Sequence, residues 1–294
     1  MKRIYVTIGT RVEHEGDSPE DKGEFLVIDW ETKTRVNSYS CDSGKEVTVG
    51  RSRGATGLAW HEDKIYITCR NGLMSLDPDT YEEVSRAETA HGGFHGMDSD
   101  GHTLWLTCVG TDVVLAIRDD KLQSIICTDK YGAEKGPVGD TTGPNAVGFS
   151  PSGDMFFLYA HKFQVFNWTT QKVVVEGLND APHDICFISD TEFLSCKSAR
   201  RELVLMSTVT GEQRVVFSRL DEAAHPSARA EYVTPGWLRG IAFDKKTNAV
   251  FVCAGPGILR ELDATTWELR AEYVFDTRPN SNPFDIMLDP RDWT

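Results

Sequence analysis

The sequence predicts an all-β fold, a six-bladed β-propeller with four antiparallel strands per blade, on three observations. One template recurs six times at ~40-residue intervals: a small or polar pair, two apolar strands about a tight turn, a polar loop, then a hairpin. The strands are near-continuous apolar runs, as sheets buried on both faces require. No amphipathic stretch of three helical turns interrupts them. A β-sandwich with coincidental spacing is the competing arrangement.

The innermost strands read, in order, Thr56-Gly57-Leu58-Ala59-Trp60, His95-Gly96-Met97-Asp98, Asn145-Ala146-Val147-Gly148-Phe149, His183-Asp184-Ile185-Cys186-Phe187, Arg239-Gly240-Ile241-Ala242-Phe243 and Phe284-Asp285-Ile286-Met287-Leu288. Second strands follow tight turns such as Ser150-Pro151-Ser152-Gly153-Asp154, whose residues favour chain reversal. They include Ile65–Cys69, Leu104–Cys108, Met155–Tyr159, Phe193–Cys196 and Val250–Cys253. Hairpins recur around Asp29, Asp77, Asn167 and Asp263, where the side chain can accept hydrogen bonds from the turn's amides. The sixth blade is split. Its innermost strand is Phe284–Asp289, and Ile4–Ile8, Glu24–Asp29 and Arg35–Tyr39 supply the rest, so the chain ends close the ring within a single domain, residues 1–294. A seventh blade would need about 40 further residues; the leftover stretches 129–142 and 219–235 are too short and too polar.

Composition narrows the function classes. Hydrophobic residues make up 40% and charged residues 26%, which excludes a disordered or collagen-like chain. The net charge is −14, from 45 acidic and 31 basic residues, so nucleic acid and anionic membranes are not expected partners. No apolar run approaches the ~20 residues of a membrane span, and Met1–Thr7 alternates like a strand instead of forming a signal peptide's apolar core. Seven cysteines without a C-x-x-C pair fit reduced thiols. A cytoplasmic monomer is the resulting expectation.

Gly143-Pro144-Asn145-Ala146-Val147-Gly148-Phe149-Ser150-Pro151-Ser152-Gly153 resembles the G-P-N-G-φ-x-φ-S-P-D-G stretch of six-bladed NHL-repeat, SMP-30/gluconolactonase-like and strictosidine-synthase-like propellers. Ile4-Tyr5-Val6-Thr7 followed by Val27-Ile28-Asp29 is also similar to the Y-V-T-N repeat of another, usually seven-bladed, propeller group. The first resemblance implies a polar central channel. In its lactonases a carboxylate, two asparagines and an aspartate hold a divalent ion. Asn145 matches one such position, but Thr56-Gly57 offers no carboxylate where one is wanted, and His183 stands at the second amide position. The acid/base glutamate of strictosidine-synthase-like enzymes has no counterpart at an innermost-strand start.

Loops joining successive blades, and those between second and third strands, emerge on one face, called here the loop face. The other turns emerge on the turn face. The long segments Thr10–Gly23, Cys41–Gly54, Thr128–Thr142 and Ser218–Gly236 all fall on the loop face, which is therefore the expected working face. Innermost-strand starts should ring its channel mouth. The candidate catalytic residues are His183 and His95, as imidazole bases, and Arg239, as the holder of an anion. Thr56, Asn145, Asp184, Asp285 and Trp237 are candidate ligand contacts, with Arg51 and Arg53 bringing further positive charge. No cofactor is expected; a divalent cation held by His95 and His183, with His91 nearby, is the secondary reading. Gly50-Arg51-Ser52-Arg53-Gly54 spells G-x-S-x-G, but a strand follows it where a nucleophile elbow needs a helix. Cys69, Cys108, Cys196 and Cys253 share one repeat position and read as fillers between blades, because a zinc site needs its sulfurs ~4 Å apart. Two functions remain in view. One is a binding propeller that holds a small metabolite, a peptide or a partner protein at the mouth, as an accessory in a biosynthetic pathway. The other is a metal- or histidine-dependent lyase or hydrolase acting at the same pocket.

Overall fold

Along the strand Arg3–Val12, Ile4, Val6 and Ile8 pack to one side and Tyr5 to the other, and all four are buried. A strand whose alternate side chains are both buried must lie between two other layers. In the computed structural model, described over residues 1–12, 23–41, 51–69, 72–88, 93–127, 142–219, 237–278 and 281–293, those layers are the neighbouring blades of a ring. Among the described residues there are six sheets, each with a core of four antiparallel strands in up-and-down order, and a fifth short strand is added to the sheet that both chain ends form. The innermost strands are Leu58–His61, Phe94–Ser99, Pro144–Phe149, Pro182–Phe187, Leu238–Asp244 and Ser281–Leu288, for blades 1 to 6.

One apolar core fills each gap. Ile4, Val6 and Ile8 meet Ala249 and Phe251 between blades 6 and 5. Tyr5, Phe25 and Val27 meet Ile65 and Ile67 between blades 6 and 1. Tyr66 meets Leu106 between blades 1 and 2, Val114 meets Phe157 between blades 2 and 3, Phe156 meets Phe193 between blades 3 and 4, and Leu194 meets Val252 between blades 4 and 5. Cys69, Cys108, Cys196 and Cys253 lie in four different cores, all as free thiols, as expected of small fillers.

The ring closes as the sequence predicts. Ser281–Leu288 pairs with Arg3–Val12, and Glu24–Asp29 and Thr34–Ser40 follow outward. A carboxylate clamps this join. The buried Asp289 accepts from the Tyr5 hydroxyl at 2.5 Å and from Arg291, and pairs with Arg3 at 3.1 Å. These donors hold its pKa below the usual carboxylate value despite burial. The turn residues behave as predicted too: Asp29, Asp77, Asn167 and Asp263 each accept amides of their own turns. One expectation is corrected. The segment Cys41–Gly54, read as irregular, ends in a strand, Arg51–Gly54, which pairs antiparallel with Gly9–Val12. Ladder hydrogen bonds along the far end of the first strand favour that extension over a loop.

Crowding at the hub shapes the innermost strands. A Cβ on Gly96 would stand 2.8 Å from the Ala146 Cα of the next blade, and one on Gly240 would stand 2.9 Å from the Ile286 nitrogen. Five innermost strands also carry a bulge near their starts, which re-aims the side chains there. Bulges disrupt ladder bonds, and hydroxyls on the second strands of three of these blades make up the loss. Gly96 and Asp285 donate their amides to Thr107 and Thr7, and Ser195 donates to the His183 carbonyl. In blade 1, Gly57 donates its amide to Thr68 in the same way. All four hydroxyl residues are fully buried.

Candidate functional site

The bulges bring one repeat position from four blades together. His95, His183, Arg239 and Phe284 open their innermost strands at equivalent places, and Trp237 precedes Arg239 by two residues. Their side chains form a closed circle. The His95 and His183 ring centroids are 5.8 Å apart, His183 and Trp237 6.2 Å, and His95 and Phe284 5.9 Å. The Arg239 guanidinium lies 5.1 Å from the Trp237 ring and 4.4 Å from that of Phe284. The predicted catalytic trio is therefore brought together, with two aromatic faces closing the set. Arg239, Phe284 and His183 are buried.

His183 is held in one tautomer. Its Nδ1 lies 2.9 Å from the Ala181 carbonyl and 2.8 Å from Ser198 Oγ. Ser198 spends its proton on the Leu238 carbonyl, at 2.5 Å. Both of these groups therefore act as acceptors, and Nδ1 carries a hydrogen.

The remaining predicted contacts divide. Asn145 occupies the same repeat position in blade 3, between the blades of His95 and His183, and donates Nδ2 to the Pro182 carbonyl at 2.8 Å. Thr56 does not join the circle; its hydroxyl bonds Thr68 and the Phe94 carbonyl, tying blade 1 to blade 2. Asp184 and Asp285 sit below the mouth. Asp184 accepts the Gly240 amide at 2.7 Å and Asp285 the Leu58 amide at 3.0 Å, so each binds its blade to the next. Asp184 does so from a left-handed backbone, φ 65°. Arg51 and Arg53 lie on the added strand, with side chains outside the described residues, as is all of His91.

A cavity of about 460 Å³ occupies the channel beneath, bounded by the later halves of the innermost strands and by Ser150 and Pro151 on the turn face. Asp184 and Asp285 line it, whereas His95, His183, Arg239 and Trp237 do not. The described channel space thus faces away from the end that the long loops favour. Asp98 and Cys186 also line it and were not anticipated. Burial pushes the Asp98 carboxyl up to about 7 and Asp184 to about 6; it also raises Asp285 well above the ordinary value, with Asp184 and Asp98 as neighbouring like charges. The Arg239 charge works the other way on Asp184. The sequence held a signal for both unanticipated residues. Asp98 and Cys186 share a repeat position that is otherwise Ala59, Gly148, Ala242 and Met287, so a carboxylate there is out of pattern. Phe284 was equally legible as the partner of His95 and His183 in the alignment of repeats.

A divalent ion of the lactonase kind does not fit these residues. Thr56 stands in place of a carboxylate, Asp184 and Asp285 are engaged by backbone amides, and no group of three His, Cys, Asp or Glu among the described residues could hold a metal ion.

Among solved structures the chain is similar to a protein of unknown function from Bacteroides caccae, at 12% identity over 99% of this chain and 100% of that one, with a TM-score of 0.64. A chain of a nidogen–laminin complex shows 10% identity over 97% and 98%, TM-score 0.64. Virginiamycin B lyase from Staphylococcus aureus shows 18% identity over 79% of this chain and 73% of the lyase, TM-score 0.54. The chain is a six-bladed β-propeller. At these identities the likeness is one of fold, and propellers host many activities. No protein-family description and no curated protein matches the sequence. No helix among the described residues is long and apolar enough to cross a membrane.

Proposed function

We propose that the side-chain circle at the loop-face end of the channel binds a small, planar organic anion. One observation carries this reading: a buried guanidinium lies against two aromatic faces, in a closed set with two imidazoles, at the hub where four blades converge. Arg239 supplies the charge and the directed donors for a carboxylate, while Trp237 and Phe284 supply flat apolar surface. Titration calorimetry with benzoate as probe tests it. Wild-type protein should bind benzoate, R239M should lose about tenfold or more in affinity, and R239K should fall between. No heat and no thermal stabilisation of the wild type by benzoate would refute the reading.

A second reading, a lyase at the same site, is favoured by the tautomer of His183. With a hydrogen fixed on Nδ1, the imidazole in its neutral form would take a proton next to a carbonyl at Nε2, and Arg239 can stabilise the charge that develops. A virginiamycin B lyase variant described as catalytically inactive has been solved with quinupristin. Incubation of quinupristin with wild-type protein should shift its chromatographic retention, and H183A should abolish that shift. An unchanged substrate with wild-type protein would discard the lyase reading and leave the binding one intact.

A further inference from the structure

We infer that Asn145 is a specificity-determining residue of this site, and that the ligand class is a planar carboxylic acid that also carries an O–H or N–H donor. The inference rests on the binding reading above and deepens it. Asn145 is 6% exposed, and its Nδ2 is committed to the Pro182 carbonyl at 2.8 Å. Turning the amide over would set two oxygens against each other, so Oδ1 is fixed as an acceptor. That oxygen is buried and has no hydrogen-bond partner among the described residues. Buried polar atoms are rarely left so, and one that is asks for a ligand group or a water. The Trp237 Nε1 donor is likewise buried without a partner among the described residues.

Their placement gives the pattern. Asn145 lies on the blade between His95 and His183, whose rings meet at 5.8 Å. Trp237 lies on the far side of His183, at 6.2 Å, with Arg239 against its ring. An obligate acceptor therefore stands on one side of His183, and an obligate donor beside a cation on the other. A carboxylate answers the indole N–H and the guanidinium. A hydroxyl or amino group answers Oδ1. Hydroxy- and amino-substituted aromatic acids combine these groups on one flat frame, whereas a plain aromatic acid leaves the amide oxygen unanswered. A site built around a buried acceptor discriminates strongly against the analogue that lacks the donor.

The experiment measures the dissociation constants of benzoate and of 2-, 3- and 4-hydroxybenzoate on the full chain, wild type and N145L, by calorimetry. At least one hydroxybenzoate should bind the wild type about tenfold or more tighter than benzoate. In N145L that ratio should collapse toward one. Equal binding of all four acids by the wild type overturns the inference and leaves the anion-binding reading standing, and a water then satisfies Oδ1. An advantage that survives in N145L also overturns it. Failure of all four acids to bind overturns the anion-binding reading itself. The wild-type ratio needs no variant, so the test stands even if N145L does not fold.

Discussion

Replacing Asp98 by Asn removes one of the three carboxylates that border the channel cavity and keeps an oxygen to accept the amides of Ser99 and Phe149. Burial raises the Asp98 pKa from 3.8 to about 7. At ~1.36 kcal/mol per unit, a shift of about 3 units corresponds to ~4 kcal/mol at most. Asp98 borders the cavity, and solvent there screens its charge, so about 2 kcal/mol is the expected size. The folded pKa lies above the unfolded one, so the folded protein keeps a proton that the unfolded chain releases. The stabilisation is complete below pH ~4 and is lost as pH rises through about 7. Asparagine resembles the protonated acid at every pH. Relief of Asp285, which feels the Asp98 charge, adds to the effect with the same sign. Urea unfolding of wild type and D98N at intervals from pH 4.5 to 8.5 measures it. The two stabilities should be similar at the acid end, and D98N should be the more stable by about 2 kcal/mol at the alkaline end. A difference that does not change with pH, or a D98N that is the weaker at pH 8.5, would refute the reasoning.

The other structural predictions concern the hub and the ring closure. Thr107→Val leaves the bulged Gly96 amide and carbonyl without the hydroxyl they share, at 2.8 and 3.0 Å; a loss of about 1–3 kcal/mol is expected in the denaturant midpoint at unchanged slope. Asp289→Asn strips the charge that faces Arg3 and Arg291 at the join of the two chain ends. It should lower stability by about 2–4 kcal/mol near neutral pH, with the deficit narrowing in acid as the wild-type carboxylate protonates, again by urea unfolding. With the benzoate and hydroxybenzoate titrations above, these measurements probe the fold and the site separately.

How much was legible follows from the kind of pattern each feature leaves. Strand repetition is local and periodic: Ile4, Val6 and Ile8 against Tyr5 reveal a sheet buried on both faces before any neighbour is known. The alignment of His95, His183 and Arg239 at one repeat position likewise announced their convergence, because a ring maps equal repeat positions onto one circle. The strand Arg51–Gly54 left no such mark, since Arg51-Ser52-Arg53-Gly54 carries no apolar alternation. Nor did the sequence separate Asp184 from His183 in depth; a bulge between them turns one side chain to the mouth and the other down to the Gly240 amide.

The sequence alone pointed to a ring of six sheets, because the period of its apolar runs and the division of one blade between its two terminal segments favour that closure over a sandwich. Tertiary structure decided which polar side chains at the hub meet and which tie neighbouring blades together. The physical reason is that Thr56, Asn145, Asp184 and Asp285 face a choice between the channel and the backbone of the next blade. Blades packed so closely that a Cβ on Gly96 would stand 2.8 Å from the Ala146 Cα bring those backbone groups within their reach.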